Sequence, residues 1–299
     1  MENDLVLIDL DQPKEGYREF LSCWLGRDGD LAFIVDPGPR STAAHLIREL
    51  GRRGVTRVDF VLLTHIHLDH GGGAAELLDA FPEARLYCHP AGARHIVDPA
   101  QLWKGSLSVL GAVAQMYGAP SPVPAERIAA ETELSAAGIR VLKTPGHAVH
   151  HVSYLHGGTL FAGEAFGTRS PLPSGALYMR PATPKRFFLD QALASLDSLR
   201  ALPEEPARTV FAHYGSLPGA FAHAEAARRQ LLLWVDTVRE TKAAATSRAQ
   251  LDDLVFARLQ EIDPLYGQGR YDELAPDIRA RERHFLENTV DGILGWLGE

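Results

Sequence analysis

Cysteine is scarce, with only Cys23 and Cys88 in 299 residues. Two thiols make no disulfide framework, so the chain is expected in a reducing compartment, the cytoplasm. No apolar run reaches the roughly 18 residues that a membrane span requires. The opening Met1-Glu2-Asn3-Asp4-Leu5-Val6 carries neither the basic region nor the apolar stretch of a leader, and no secretion is expected. Positive charge is in deficit: 30 Lys and Arg against 38 Asp and Glu give a formal net charge of -8. A nucleic-acid surface needs clustered Lys and Arg, so the expected partner is a small molecule, with neither nucleic acid nor membrane. Internal repeats with a period of about 20 to 50 residues are absent, as are low-complexity segments. What remains, 45% hydrophobic and 23% charged residues, is ordinary for a globular chain able to bury a large core.

One residue type stands out against these absences. There are 13 histidines, and they cluster. The segments between them read as follows. Apolar runs at 5–10 and 20–25 predict strands, and Arg27-Asp28-Gly29-Asp30 turns the second into a returning strand at 31–35. Asp36-Pro37-Gly38-Pro39 stops it. Ser41 is placed to cap a helix whose apolar positions are Ala44, Leu46, Ile47 and Leu50. Further strands are expected at 59–63, 85–88, 139–143, 152–155, 160–162 and 209–212. Helices are expected at 74–80, within 90–118, at about 184–201 and from 218 onward, with a Pro- and Gly-rich loop over 167–184. Strands alternating with helices predict a layered α/β fold. The expected division is a catalytic domain at 1–217, with a helical insertion at 90–124, and a helical extension at 218–299 packed on it.

The chemistry concentrates in Thr64-His65-Ile66-His67-Leu68-Asp69-His70-Gly71. His65 and His67 alternate as strand residues do, and Asp69 and His70 follow at the turn into a helix. Imidazole and carboxylate are ligands for zinc and similar divalent ions. A chance occurrence of this spacing in such a chain has odds of about one in a thousand. The glycines after His70 let the backbone pass close by. Three more strand ends deliver a donor each: His147 in Thr144-Pro145-Gly146-His147, Glu164 in Phe161-Ala162-Gly163-Glu164, and His213 in Val210-Phe211-Ala212-His213. Each alone has an ordinary structural explanation. Together with residues 65–70 they predict one metal centre. His151, close to His147, is expected to steady a ligand or loop through a hydrogen bond.

From about residue 5 to 215 the chain resembles the metallo-β-lactamase superfamily, in the motif order HxHxDH, Gly-His, Gly-acid and final His, and in Asp36 of Asp-Pro-Gly after an early strand. The chain is similar to an uncharacterised prokaryotic branch of such metallo-hydrolases, in THIHLDHGGG, TPGHAVHHVSY and a Leu- and Trp-containing helical insertion. A quinolone-signal thioesterase of the same fold is similar in its extra helices. The resemblance implies a four-layer αββα sandwich and two divalent ions, zinc first, with iron or manganese as alternatives. It implies one ion on His65, His67 and His147, the other on Asp69, His70 and His213, and residue 164 bridging them. The family has Asp at that bridge, whereas this chain has Glu164. The longer carboxylate leaves open bridging, binding of one ion only, or a shift toward iron or manganese.

The expected activity is hydrolysis, with a metal-activated hydroxide attacking the carbonyl of a small thioester, lactone or ester. Asp69 would orient the nucleophile and carry a proton. Trp103, Leu107, Leu110, Met116 and Tyr117 are candidates for an apolar lid, and Phe166, Leu177 and Tyr178 for an opposite wall. Arg169 or Arg180 could meet a substrate carboxylate. Two other readings stand beside this one: an iron-dependent oxidoreductase of the same fold, of the persulfide dioxygenase or diiron kind, and a non-catalytic ligand binder. The C-terminal helices are expected either to cap the pocket or to make a homodimer.

Overall fold

The computed structural model describes residues 4–298. Met1, Glu2 and Asn3, on which the expected leaderless start partly rests, and Glu299, the last residue of the expected extension, lie outside them. The first sheet runs in chain order through β1 (Asp4–Asp9), β2 (Ser22–Asp28), β3 (Leu31–Val35), β4 (Phe60–Leu62) and β5 (Arg85–Tyr87). Its first three strands are antiparallel, and β3, β4 and β5 are parallel. β6 (Arg140–Lys143), β7 (Val152–His156) and β8 (Thr159–Phe161) begin the second sheet. A ribbon of β9 (Thr168–Ser170) and β10 (Tyr178–Arg180) stands apart, and β11 (Arg208–Val210) and β12 (Ser216–Pro218) complete the second sheet in the order β12-β11-β8-β7-β6.

The layering follows from side-chain alternation along each strand. Phe33, Val35, Phe60 and Leu62 meet Tyr154, Phe161 and Val210 of the other sheet in one cluster. Their neighbours Ile34, Val61 and Leu63 face outward, onto Leu46 and Leu50 of the helix Arg40–Arg52 and Leu77 of the helix Ala74–Ala80. On the far side, Leu160 and Ala162 face Leu196 and Leu199 of the helix Leu189–Arg200. Each fully buried Leu, Ile or Phe contributes about 1.5–3 kcal/mol, so both faces of both sheets are covered. The result is the four-layer sandwich. The helices Phe221–Lys242, Arg248–Ile262 and Pro276–Trp296 share a further cluster around Trp234, Leu259, Tyr266 and Leu286. Within it, buried Asp263 accepts hydrogen bonds from Trp234 Nε1 at 2.6 Å and Gln230 Nε2 at 2.9 Å. No helix among the described residues is long and apolar enough to cross a membrane.

Several local expectations are corrected. The helix expected after a Ser41 cap begins at Arg40 instead, because the carbonyl of Pro39 already accepts from the amide and the hydroxyl of Thr42. The expected loop at 167–184 contains the β9–β10 ribbon, whose three-residue strands are too short to show a period. The helix expected from 184 starts at Leu189, after Pro181 and Pro184. Of the residues expected in a lid, Trp103, Leu107, Leu110 and Met116 are partly buried against the helix side of the first sheet, and Tyr117 is buried with them.

Candidate metal centre

The centre lies where both sheets deliver loops to one edge. β4 ends at Leu62, and the residues after it are locked from both sides. The Leu63 amide donates to Tyr87 O of the first sheet, and the Val152 amide of the second sheet donates to Thr64 O. Tyr154 Oη reaches Leu63 O as well. His65 and His67 therefore sit in a braced turn, not on an alternating strand as expected. The His67 carbonyl then accepts from the His70 and Gly71 amides and starts the short helix Leu68–Gly71 that aims Asp69 and His70. Asp36, at the end of β3 with a positive φ of 52°, ties these pieces together. Its carboxylate accepts from the Thr64 amide and hydroxyl, both at 2.8 Å, and lies 3.4 Å from His70 Nδ1.

Hydrogen bonding fixes which ring nitrogen each histidine presents. The Thr64 hydroxyl donates to Asp36, so at 3.1 Å it accepts from His65 Nδ1–H. His147 Nδ1 donates to Ala182 O at 3.1 Å, and His70 Nδ1 faces Asp36. With the Nδ1 protons engaged, the Nε2 lone pairs of His65, His70 and His147 turn inward. They converge on Glu164. Its Oε2 lies 3.3 Å from His65 Nε2, 2.9 Å from His147 Nε2 and 3.6 Å from His70 Nε2. Its Oε1 lies 3.2 Å from His213 Nε2. Donor atoms of His65, His67, His147 and Glu164 form one group, and those of Asp69, His70 and His213 another, each within 4.8 Å.

Those separations test whether a metal fits. Lone pairs facing a carboxylate at hydrogen-bond distance repel unless a proton or a cation sits between them. The Nε2 atoms of His65 and His70 are buried and make no hydrogen bond. Tetrahedral coordination at 2.0–2.1 Å would place ligand atoms about 3.3 Å apart, which is the spacing seen here. The donor set of imidazoles and carboxylates suits zinc, iron or manganese. Electrostatics favour ligation by the first donor group, and in the second they favour a proton on His70 while no ion is bound. Burial, reinforced by neighbouring imidazoles, holds His65 and His67 well below the usual histidine pKa, in the neutral form that binds metals. Burial also opposes charge on His70, but Asp69, Asp36 and Glu164 outweigh it and lift its pKa well up. Glu164 is fully buried, which alone would raise its pKa, yet His147 and His213 hold it well below the carboxylate range.

A second set of contacts holds Glu164 in place. His151 Nε2 accepts the Glu164 amide at 3.0 Å, and His151 Nδ1 meets Thr144 Oγ1 at 2.9 Å, which in turn meets Ser153 Oγ at 3.0 Å. Burial, with His147 next to it, drives the His151 pKa down to about 3, so the ring stays neutral and keeps this acceptor. Gly163 makes the approach possible. It has φ of +58°, and a Cβ there would lie 2.5 Å from His151 Nε2 and 2.8 Å from Thr64 Cβ. Gly163→Ala is therefore expected to cost about 2–5 kcal/mol, from overpacking and the left-handed backbone together. Denaturant unfolding of the metal-free protein measures this, and an unshifted midpoint would show that the backbone gives way.

The structure brings His65, His67, Asp69, His70, His147, Glu164 and His213 into one centre, with Asp36 and His151 touching it. It takes Tyr178 elsewhere. That side chain is buried in the C-terminal cluster with its hydroxyl donating to Glu282 Oε2 at 3.2 Å, so it is no substrate wall. Arg180 is spent on Glu282 and Thr289. Phe166 does line a cavity of about 30 Å³ beside His147 and Glu164. Sequence alone does not single out Thr64 and Thr144, whose one signal is their place at the start of the two histidine motifs.

Comparison with known proteins agrees with this geometry. Residues 16–213 match the family described as the metallo-beta-lactamase superfamily. A hydroxyacylglutathione hydrolase of Cupriavidus taiwanensis is 34% identical over 227 residues, covering 74% of this chain and 73% of that one. One of Vibrio cholerae is 30% identical over a similar span, 74% and 73%. Among solved structures, an archaeal metallo-beta-lactamase superfamily protein of Sulfolobus tokodaii superposes with a TM-score of 0.68 at 20% identity, covering 98% of this chain and 99% of that one. A metallo-beta-lactamase family protein of Thermus thermophilus gives 0.64 at 20% identity, covering 98% and 93%. These two likenesses concern the fold alone, and they extend through the C-terminal helices. Family match, sequence relatives and donor arrangement converge: this chain belongs to the metallo-beta-lactamase superfamily and is a metallo-hydrolase with a histidine-rich centre of two donor groups.

Proposed function

We propose that the protein hydrolyses a small thioester, with lactones and esters as the neighbouring alternatives, at a dinuclear centre that takes zinc first and iron or manganese otherwise. The observation that carries the reading is the Glu164 carboxylate, which turns one oxygen to His65 and His147 and the other to His213. A carboxylate so placed can serve both donor groups at once, in spite of its extra methylene. The relatives named hydroxyacylglutathione hydrolases favour a thioester over the other carbonyl substrates. Two divalent ions held there would supply Lewis acidity and a water acidified toward neutral pH.

The chain's own residues do the rest. Glu164 and Asp36 are buried, with side chains 6% and 3% exposed, whereas the Asp69 side chain is 19% exposed. Asp69 is thus the carboxylate open to an incoming substrate. Its Oδ2, 3.6 Å from His70 Nε2 and 3.9 Å from His213 Nε2, is placed to accept a proton from the attacking water and return it to the leaving sulfur. A thiol of ordinary pKa near 8.5 leaves with little help, so a weakly acidic shuttle suffices. A small molecule as the partner is part of the same proposal.

The test is metal content per chain together with thioester hydrolysis before and after chelation. Two equivalents are expected, with turnover abolished by a chelator and restored by added zinc, iron or manganese. Hydrolysis that survives complete metal removal, or a metal-loaded protein inert toward thioesters, lactones and esters alike, would overturn the proposal.

A further inference from the structure

The donor histidines are not all steadied in the same way. His65, His70 and His147 each turn Nδ1 to an oxygen, as metal-binding histidines commonly do. His213 does not. Its Nδ1 is buried and has no hydrogen-bond partner. The backbone before it is fixed, since Ala212 O accepts from the Ser22 amide and Phe211 O accepts from Trp24 Nε1. The imidazole itself rests on Phe20, with ring centroids 4.5 Å apart.

Phe20 is in turn held by the C-terminal helix Pro276–Trp296. The Arg281 guanidinium lies 4.3 Å from the Phe20 ring centroid. It is buried and fully engaged: it donates to Gly16 O at 2.7 Å, to Ser170 Oγ at 2.8 Å and to Glu282 Oε1 at 3.0 Å. Phe285 packs on Phe20 at 5.3 Å, and Arg18 forks onto Asp277 with both bonds at 3.1 Å. The loop that carries Phe20 is therefore clamped to that helix at its start, middle and end. Gly16 has φ of +82°, and a Cβ there would lie 2.4 Å from Asp277 O.

We infer that Phe20, backed by Arg281, is a positioning residue for His213, so that the C-terminal helix sets the affinity of the Asp69, His70 and His213 group for its metal. The inference rests on the metallo-hydrolase reading above. Ring packing does here what an Nδ1 contact with an oxygen does for His65, His70 and His147. It holds the imidazole plane through shape and leaves the tautomer free, so this group depends on packing from the far end of the chain. The His65, His67 and His147 group does not touch Phe20; it meets the same helix by a separate route, through Ala182 O on His147 Nδ1 and the hydrogen bonds of Pro181 and Thr183 with Thr289.

The experiment is a cobalt(II) titration of the metal-free full chain, following equivalents bound and the affinity of each. Phe20→Leu keeps apolar volume but removes the ring face. It is expected to weaken one equivalent by about 10–100-fold, the range typical when a ligand loses its orienting partner, and to leave the other within error of the unaltered protein. Arg281→Lys, which keeps charge but loses the fork, should move the same equivalent in the same direction. Phe256→Leu is the control. It loosens the C-terminal cluster, where Phe256 packs on Tyr266 and Tyr271 away from Phe20, and it should lower thermal stability while both affinities stay unchanged. The inference is overturned if Phe20→Leu binds two equivalents as tightly as the unaltered protein. It is also overturned if Phe256→Leu weakens binding as much as Phe20→Leu does, which would mark a general loss of packing. Should Phe20→Leu fail to fold, Arg281→Lys decides by the same criterion. If the unaltered chain binds no cobalt at all, the metal-centre reading itself has failed, an outcome distinct from these.

Discussion

Asp69→Asn should lower kcat for thioester hydrolysis by about 10²–10⁴-fold, the usual contribution of a positioned proton carrier, and should change KM little. The amide keeps the size of the carboxylate and can still accept a hydrogen bond, but it cannot take up a proton near neutral pH. The effect should fall on turnover because no other carboxylate can substitute. Glu164 is buried among four imidazoles, and Asp36 is committed to Thr64 and His70. The His65, His67 and His147 group should keep its metal in this variant, since Asp69 is not among its donors. Steady-state kinetics alongside metal analysis separates the two roles of Asp69. Turnover close to that of the unaltered protein would remove Asp69 from the chemistry. A fall in kcat matched by loss of every metal would reduce it to a structural ligand.

The parts of this protein that could be read from sequence are those whose partners are near in the chain or repeat with a period. The αββα layering is written in the alternation of β3 and β4, where Phe33 and Val35 face one way and Ile34 the other. The sequence from His65 to His70 packs four donors into six residues, and such density of histidine leaves few explanations besides a metal. His147, Glu164 and His213 could be associated with it because each follows an apolar run. What escaped depends on distant partners. Tyr178 and Arg180 looked available to a substrate because nothing near them is acidic, yet Glu282, about a hundred positions later, takes both. Trp103 and Leu107 looked like a lid because aromatic and aliphatic side chains on a helix are compatible with either packing or ligand contact. Phe20 carries no signal at all, since its contact with His213 spans most of the chain. His65 and His67 have the spacing of strand residues, but the strand ends at Leu62, and the turn after it is set by hydrogen bonds from the second sheet.

Glu164→Gln should remove most of the stabilisation that metal gives the chain. In the metal-free protein the change already costs stability. His147 and His213 favour the Glu164 charge, and that charge in turn supports a protonated His70, so its loss is expected to cost about 3–5 kcal/mol, less what an amide NH₂ recovers by donating to His65 Nε2. With metal present the change is severe. The negative charge faces both donor groups, and at an effective dielectric near 20 a unit charge pair about 4 Å apart is worth about 4 kcal/mol, more for a divalent ion. Loss of at least one equivalent follows, with an affinity drop beyond the 10–100-fold or so typical of residues that only support a ligand. The readout is thermal melting with and without zinc. Zinc at about a hundred times its dissociation constant should stabilise the unaltered protein by about 2.7 kcal/mol per site. In Glu164→Gln that rise, taken from the variant's own metal-free melting temperature, should shrink or vanish. A variant that keeps the full zinc-dependent rise and two equivalents of metal would place Glu164 outside the coordination of both ions, and the dinuclear reading would lose the carboxylate that joins its two halves.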